Sequence, residues 1–381
     1  MKDIIIQVDP IASVGILFKE VAMPMSEQKQ WARENYQGVE DSLKTAFSPD
    51  FEELDEDGIR LDVRQSIKHG FFSAMCSSTY TTLDEKKRFL EIVCDESRGR
   101  ILVGANAALA KIEDCLELLA RAEKVGCSHA FVEYPRHLRP QSEEEVYRYL
   151  RRLTDATRLP IILYGYHCPA LRQLHPSGIL IDVFDRLADV PNVVGMKLTQ
   201  PINIGSAFEL CERLGERILF GPANLELVPI LARHYHVQWV GQWVVESLQS
   251  PEKPYLVEFM DLVNKGQLDK AMTVYWRMSP AYKYVHELQE SYLLKGSHPW
   301  AHINYYHWCV GGNGGLPRGS TQSSEEAAIL DESGRKEIRD CYKKIGITPV
   351  EEPEEEFVVG KANYAKGIRA NHLTRTPLYR Q

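Results

Sequence analysis

Two short apolar segments decide the fold of this chain: PIILYGY at residues 160–166 and PNVVGMK at residues 191–197. Each begins with proline, is rich in aliphatic or β-branched residues and carries no charge before its last position. This pattern is typical of strands that are buried on both faces of a parallel sheet. Each segment also brings one reactive group close to its end, the phenol of Tyr164 and the amine of Lys197.

Alternation along a strand predicts which side chains accompany these two groups. Lys197, Gly195 and Val193 are expected on one face of their strand, and Tyr164 and Tyr166 on one face of the other. If the two strands are neighbours in a parallel sheet, the amine and the phenol meet at the same end of one cavity. A buried lysine beside a tyrosine is suited to imine formation with a carbonyl compound.

Around these segments, stretches of strand character alternate with stretches of helical spacing. The predicted strands cover residues 42–47, 70–76, 100–105, 127–134, 160–166, 191–197, 217–220 and 237–242. The predicted helices between them cover 55–68, 82–95, 107–124, 142–157, 179–187, 204–214 and 225–232. This alternation predicts a parallel sheet, and its length predicts a closed (β/α)₈ barrel. A doubly wound open sheet is the alternative, but no GxGxxG turn follows an early strand.

The barrel is predicted to occupy residues 41–250, with a C-terminal helical region over 251–347. Helical spacing in that region covers 254–265, 268–284 and 331–345, and a Gly- and Ser-rich stretch at 311–324 is expected to be a loop. Residues 1–40 form an N-terminal extension. Residues 348–381 form a tail whose acidic run is expected on the surface or against another subunit. The predicted fold class is an α/β protein, a (β/α)₈ TIM barrel with a C-terminal helical extension.

Composition and charge narrow the functional classes. The chain has 381 residues and a formal net charge of −8, and its basic residues form no stripe of the kind that nucleic acid requires. No apolar run approaches the ~20 residues that span a bilayer, and the N-terminus lacks the pattern of a secretory signal. The eight cysteines form no CxxC pair, which indicates reduced thiols. We therefore expect a cytoplasmic protein that contacts neither nucleic acid nor membrane.

Several motifs together resemble one known family, the dihydrodipicolinate synthase and N-acetylneuraminate lyase group. ILYGY (162–166) resembles the strand that carries the family's catalytic tyrosine. VVGMK (193–197) resembles the strand that carries its imine-forming lysine. Residues 54–70, 101–106 and 330–347 are similar to the first barrel helix, the third strand and the last helix of the family.

This resemblance implies a fold, a mechanism and an assembly. Members of the family are Schiff-base lyases on a (β/α)₈ barrel with a helical C-terminal extension. By this resemblance Lys197 forms the imine, and Tyr164 passes protons to and from the carbinolamine oxygen. No cofactor and no metal ion are implied. The expected partners are a small-molecule 2-oxo acid and further copies of the chain, in a homodimer or homotetramer.

The loop after the second predicted strand departs from the family pattern. The family has GTTGE there, which grips the substrate carboxylate and supplies a proton-relay hydroxyl, whereas this chain has MCSST at residues 75–79. Ser77 matches in type and Ser78 offers a second hydroxyl, so both are expected to bind the carboxylate. Cys76 falls where the relay hydroxyl is expected, and a thiol is a weaker hydrogen-bond donor.

Two further family residues have no clear counterpart. The segment of the second relay tyrosine reads YPRH at residues 134–137, where His137 is either a replacement or an ordinary loop residue. The arginine that holds a distal carboxylate in the synthases is absent, because Arg172 is displaced from that place. These differences argue against dihydrodipicolinate synthesis itself, but less against the shared imine step.

Taken together, the residues predict imine chemistry on a 2-oxo acid. The attacking amine must be neutral, and burial favours this form of Lys197. Gly195 leaves room below the imine, and Tyr166 and Trp243 are expected to line a pocket for the rest of the substrate. The predicted activity is that of a lyase or aldolase on pyruvate or another 2-oxo acid, by aldol cleavage or condensation, or else by dehydration. The alternative is a catalytically reduced barrel that serves as a binding or regulatory protein.

Overall fold

Eight parallel strands form the centre of the computed structural model, which describes residues 25–78, 80–199, 202–293, 298–318 and 329–375. The strands are β1 (Gly38–Lys44), β2 (Ser73–Ser77), β3 (Leu102–Asn106), β4 (His129–Val132), β5 (Ile161–Gly165), β6 (Val193–Leu198), β7 (Leu219–Pro222) and β8 (Trp239–Gly241). Their order is β7-β6-β5-β4-β3-β2-β1-β8, and a parallel bridge between Phe220 and Val237 joins the two ends of the sheet. The predicted (β/α)₈ barrel is confirmed.

Helices fill the connections and form the C-terminal region. Before and around the barrel they are α1 (Glu27–Asn35), α2 (Glu56–Lys68), α3 (Leu83–Ser97), α4 (Ile112–Val125), α5 (Glu143–Asp155), α6 (Ile181–Ala188), α7 (Ile204–Leu214) and α8 (Val228–Leu231). After it come α9 (Tyr255–Asn264), α10 (Leu268–Leu293), α11 (Trp300–Cys309), α12 (Glu332–Lys344), α13 (Glu354–Val359) and α14 (Lys361–Ala365). Within the described ranges, no helix has the length and apolar character needed to cross a bilayer.

The first strand lies four residues earlier than its predicted start. The prediction placed it at 42–47, whereas β1 begins at Gly38, inside the predicted extension of residues 1–40. Glu40 and Asp41 gave this segment the composition of a loop, yet each is only 1% exposed. Most of the predicted extension, part of the 311–324 loop and the end of the 348–381 tail lie outside the described residues.

A buried polar cluster forms the floor of the barrel interior. Glu40 Oε1 accepts hydrogen bonds from Tyr36 Oη at 2.6 Å and from Ser73 Oγ at 3.0 Å. It also lies 3.0 Å from His129 Nε2. An apolar layer with contributions from six strands accompanies this cluster, and its members are Met75, Phe131, Ile162, Val194, Leu219 and Trp239. The floor therefore holds polar groups that hydrogen-bond to one another rather than to the site above.

The helix α1 covers the amino-terminal end of the barrel. Ala32 on α1 and Tyr36 just after it are fully buried. Gln238 Nε2, which precedes β8, donates to the backbone oxygens of Arg33 and Tyr36, both at 3.0 Å. Because Ala32 and Tyr36 are buried against the barrel, and Tyr36 supplies the phenol of the floor cluster, α1 is part of the barrel structure and not a separate extension.

The C-terminal region packs against the barrel and against its own tail. All residues of α11 after Trp300 are buried. Glu356, within the predicted acidic run, accepts from Trp308 Nε1 at 3.1 Å, and Glu354 accepts from Tyr305 Oη at 2.5 Å. Part of the acidic run is therefore buried in this chain, because these carboxyl groups accept hydrogen bonds from the aromatic side chains of α11.

We expect Tyr36→Phe to lower the free energy of unfolding by about 1–3 kcal/mol, because it leaves a buried acceptor without its donor. Tyr284→Phe is the matched control, since the hydroxyl of Tyr284 bonds Glu337 at 2.5 Å in an exposed setting. Urea unfolding of both variants beside the parent chain measures the difference. Equal losses in the two variants would contradict a structural role for the floor cluster.

Candidate active site

A cavity of about 280 Å³ opens at the carboxyl ends of the strands, where the barrel fold predicts an active site. Strand ends supply Ser42, Lys44, Met75, Ser77, Asn106, Glu133, Tyr164 and Lys197. Loops and the C-terminal region supply Ser78, Ala108, Arg136, Thr199, Trp243, His298 and Trp300. The cavity thus contains both side chains on which the sequence prediction rests.

The amine of Lys197 is buried without a hydrogen-bond acceptor among the residues that the structure describes. Lys197 is 3% exposed, and the β5–β6 register pairs it with Tyr164 at one level of the barrel. Its Nζ atom lies 5.8 Å from the ring centroid of Phe131. Burial lowers the pKa of Lys197, and the carboxyl group of Glu40 opposes this shift only in part.

The phenol of Tyr164 enters the same cavity from β5. Its Oη atom donates to Met75 Sδ at 3.4 Å. Burial raises the pKa of Tyr164 well above its ordinary value, and the carboxyl groups of Glu133 and Glu40 raise it further. Tyr164 therefore keeps its proton over the ordinary pH range and is a donor in the resting cavity.

A β-bulge in β6 changes one predicted face. Ile161 pairs with Val193, but the next residue, Ile162, pairs with Gly195. The extra residue, Val194, turns inward and joins the apolar layer. The expectation that Val193 shares the face of the lysine is therefore wrong, because the bulge interrupts the alternation between these positions.

Gly195 lies on β6 two residues before Lys197, in a place with little spare volume. A Cβ atom at Gly195 would lie 2.9 Å from Ile162 Cδ1 and 3.2 Å from the backbone oxygen of Leu219. Any larger side chain would have to displace the strand or the lysine two residues later. The glycine is thus explained by close packing beneath the amine.

The two predicted serines line the cavity, but the cysteine does not. Ser77 Oγ accepts from Ser42 Oγ at 2.8 Å, and Ser78 Oγ accepts from Lys86 Nζ at 2.9 Å. Cys76 is 3% exposed and packs in the core that joins the strands to the helices. Because side chains alternate along β2, its thiol lies on the opposite face from Ser77. The expectation that Cys76 replaces the relay hydroxyl or contacts a substrate is therefore corrected.

Tyr166 lies behind the cavity rather than in its wall. It follows β5, is 6% exposed and is absent from the cavity lining. The guanidinium carbon of Arg136 lies 4.7 Å from its ring centroid, and an Arg136 nitrogen lies 3.7 Å from Glu133 Oε2. The expectation of a direct substrate contact is corrected: Tyr166 supports Arg136, whose half-exposed side chain forms part of the mouth.

The other residues that were weighed as replacements do not line the cavity. The hydroxyl of Tyr134 lies 3.5 Å from Glu145, away from the site. His137 and Arg172 are exposed. The arginine of this cavity is Arg136, which follows β4 rather than β5.

A second buried amine, that of Lys44, was missed from the sequence. Lys44 ends β1, pairs with Ser77 in the β1–β2 register and is 8% exposed. Its Nζ atom donates to the backbone oxygen of Ser42, to Ser42 Oγ at 2.8 Å and to the backbone oxygen of Trp243 at 3.2 Å. The predicted strand of 42–47 placed Lys44 in mid-strand, which hid its position at a carboxyl end.

Two more polar groups of the cavity escaped prediction. Asn106 ends β3, and its Oδ1 atom is buried without a hydrogen-bond partner in the described part of the chain. Glu133 follows β4, and burial raises its pKa while Arg136 opposes the shift. Both residues lie at or directly after the carboxyl end of a predicted strand. Because barrel active sites lie at these ends, the position alone could have indicated them as site residues.

Aromatic rings from the C-terminal half cover one side of the cavity. Trp243 stacks on His298 with ring centroids 4.1 Å apart, and His298 lies 4.7 Å from Trp300. The expected contribution of Trp243 to the cavity wall agrees with this arrangement. Trp239 is fully buried in the apolar layer below.

Comparisons with known proteins agree with the motifs and the fold. The model of the Dihydrodipicolinate synthetase family matches residues 35–218. A 4-hydroxy-tetrahydrodipicolinate synthase of Phenylobacterium zucineum is 32% identical over 167 residues, which cover 42% of this chain and 54% of that protein. The protein of the same name from Methanopyrus kandleri is 27% identical over 254 residues, 65% of this chain and 80% of that protein.

A solved structure gives the same result for the fold. The N-acetylneuraminate lyase from Fusobacterium nucleatum complexed with pyruvate has a TM-score of 0.63 at 16% identity, covering 81% of this chain and 97% of that one. These matches confirm the resemblance to the dihydrodipicolinate synthase and N-acetylneuraminate lyase group. The chain spans about half the length of the first relative and four fifths of the second.

We expect Gly195→Ala to destabilise the chain by about 1–3 kcal/mol, because the new methyl group overpacks the space below the cavity. Ile162→Val removes the Cδ1 atom that would be only 2.9 Å away, so the double variant should recover part of this loss. Urea unfolding of the parent, the two single variants and the double variant measures the coupling. Strictly additive losses would contradict the packing explanation.

Proposed function

With residues 35–218 matched to the dihydrodipicolinate synthetase family as the premise, we propose that this chain is a class I, metal-independent lyase. Its Lys197 forms an imine with pyruvate or another 2-oxo acid. The observation that carries the proposal is the placement of a buried amine without a hydrogen-bond acceptor at the same level as the Tyr164 phenol. A neutral amine is a nucleophile, and burial favours the neutral form.

The surroundings of the two buried lysines favour Lys197 over Lys44 as the nucleophile. Lys44 donates three hydrogen bonds, and the carboxyl group of Asp41 favours its charged form. Burial lowers the pKa of Lys44 only to about 8, so its ammonium form predominates at neutral pH. Lys197 lacks such acceptors, so an ammonium ion there would have no side-chain or backbone partner in the described part of the chain.

Tyr164 is the group proposed to move protons during imine formation. Attack of the amine on the 2-oxo carbon gives a carbinolamine, and loss of its oxygen as water requires a proton. The Tyr164 hydroxyl faces the cavity, and within the described residues it bonds only a thioether, that of Met75, so it is available to the substrate oxygen. Glu133 also lines the cavity, and its charge raises the pKa of Tyr164. Because burial raises the pKa of Glu133 itself, this carboxyl group is a second acid close to the phenol.

The same imine serves aldol cleavage, aldol condensation or dehydration, because in each case it accepts the electron pair that the reacting carbon must stabilise. Pyruvate is the first candidate, since it is bound in the solved N-acetylneuraminate lyase of similar fold. The names of the two relatives point to condensation. The changed residues around Arg136 and Tyr134 argue that the second substrate differs from theirs.

The assembly and the location of the protein remain part of this proposal. Resemblance to the family supports a homodimer or homotetramer in the cytoplasm. Arg136 stands half-exposed at the cavity mouth, where a second copy could approach it. Neither statement bears on the imine step, which needs only the residues of one barrel.

We expect sodium borohydride to trap pyruvate on the parent chain as a stable adduct, located at Lys197 by peptide mass spectrometry. Lys197→Ala should give no adduct at any position of the chain. Mapping the modified peptide also separates Lys197 from Lys44, because the two lie in different tryptic fragments. An unmodified parent chain across a panel of 2-oxo acids would favour the binding or regulatory alternative.

We expect Tyr164→Phe to slow the formation of the trapped adduct by about 10²- to 10⁴-fold, the usual contribution of a positioned proton donor. Tyr134→Phe is the control, because the Tyr134 hydroxyl lies beside Glu145 and outside the cavity. Adduct yield against time, measured with cyanoborohydride present, gives the two rates. A rate for Tyr164→Phe equal to that of the control would remove Tyr164 from the mechanism.

A further inference from the structure

A chain of hydrogen bonds runs from the second lysine to the cavity wall. Lys44 Nζ donates to Ser42 Oγ at 2.8 Å, and Ser42 Oγ donates to Ser77 Oγ at 2.8 Å. The sheet itself fixes this geometry, because Lys44 pairs with Ser77, and Ser42 with Met75, in the parallel register of β1 and β2. Nothing in the proposed imine step uses Lys44.

The ammonium group sets the direction of this chain. An ammonium nitrogen can only donate, so Ser42 Oγ accepts from Lys44 and its own proton is directed at Ser77. Ser77 Oγ then accepts, and its hydroxyl proton remains for another acceptor. Ser77 lines the cavity, and within the described residues its side chain has no bond besides that from Ser42. The hydrogen-bond chain therefore ends in the Ser77 hydroxyl, which is a polarised donor for a ligand in the cavity.

The charge on Lys44 is supported from behind the strand. Asp41, one of its neighbours on β1, favours the ammonium form, whereas burial and Asp41 raise the pKa of Glu246, in the turn after β8, well above its ordinary value, so that Glu246 adds support only when ionised. Glu246 is 4% exposed, and the hydroxyl of Tyr342 donates to its backbone oxygen at 3.0 Å. On the cavity side, the Lys44 nitrogen lies 5.7 Å from the ring centroid of Trp300. The amine is thus held in place by contacts from β1, the turn after β8 and α11.

We propose that Lys44 is the counter-charge for the substrate's 1-carboxylate, acting through its electrostatic field and through the Ser42–Ser77 hydroxyl pair. This inference rests on the proposed function, since it places the carboxylate of a 2-oxo acid beside an imine at Lys197. The two lysines of the cavity then have different roles: Lys197 reacts with the ketone, and Lys44 recognises the carboxylate. Hydrogen bonds to a charged group are stronger and more selective than those of the two serines alone.

Charge recognition is distinguished from a structural role by a substrate without the charge. Methyl pyruvate keeps the ketone and loses the carboxylate. In Lys44→Met we expect the half-saturating concentration of pyruvate for trapping at Lys197 to rise by about tenfold to a hundredfold. For methyl pyruvate the change should stay within about threefold. A change of similar size for both compounds would overturn the proposal, as would an adduct located on Lys44 itself.

Lys44→Met leaves Asp41 and Glu246 without their amine and can misfold for that reason. Two further variants keep the proposal testable in that case. Lys44→Arg keeps the charge and should restore part of the discrimination between the two compounds. Ser77→Ala keeps Lys44 and should raise the pyruvate value alone, by about twofold to tenfold. Loss of discrimination in Lys44→Arg together with an unchanged Ser77→Ala would contradict the hydroxyl chain.

Failure of the proposed function is separated from failure of this inference by oxamate, which carries the carboxylate but has an amide in place of the ketone. If the parent chain is trapped by neither pyruvate nor its ester, calorimetric titration with oxamate still decides the role of Lys44. Binding to the parent chain that weakens about tenfold or more in Lys44→Met supports the anion site. Absent binding, or equal binding to both chains, contradicts it.

Discussion

The chemistry of this site depends on how two buried amines are solvated by the protein. Both Lys44 and Lys197 are removed from water, and burial lowers the pKa of each. They differ in what replaces the water. Lys44 has three acceptors and two carboxyl groups around it, whereas Lys197 has none of these acceptors in the described residues. A low-dielectric interior amplifies this difference, because an ion without partners is costly there.

The barrel floor keeps Lys197 in this condition. Glu40 is the carboxyl group that opposes the pKa shift of Lys197, and an ion pair between them would hold the amine protonated. In the described part of the chain, Glu40 Oε1 is occupied by Tyr36, Ser73 and His129, Glu40 Oε2 has no hydrogen-bond partner, and no ion pair joins Glu40 to Lys197. Since Tyr36 comes from the segment after α1, residues outside the strands help to determine the reactivity of the amine.

The features that could be predicted from the sequence are those marked by a repeating strand–helix pattern or by a run of apolar residues. The barrel follows from eight strand-like stretches, and Lys197 and Tyr164 follow from two apolar strands that end in polar groups. The same criterion failed for β1, because Glu40 and Asp41 are buried charges, and with β1 misplaced the position of Lys44 was lost. It also failed for α11, since a helix buried on all sides shows no apolar stripe.

Motif alignment misassigned Cys76 for a different reason. An alignment matches positions along the sequence, but it does not say which face of a strand a side chain occupies. It placed Cys76 at the relay hydroxyl, but the alternation of β2 turns that thiol to the core and gives the place beside Tyr164 to Met75. A thioether cannot pass a proton. The proton-relay group that the family has in the loop after β2 must therefore come from another part of this chain. The neighbouring strands provide the groups: Lys44 from β1 and Glu133 after β4 both line the cavity. The pair of Tyr164 on β5 and Lys197 on β6, the proposed imine-forming centre, thus follows the motif, while the polar groups that surround it come from different strands than the motif indicates.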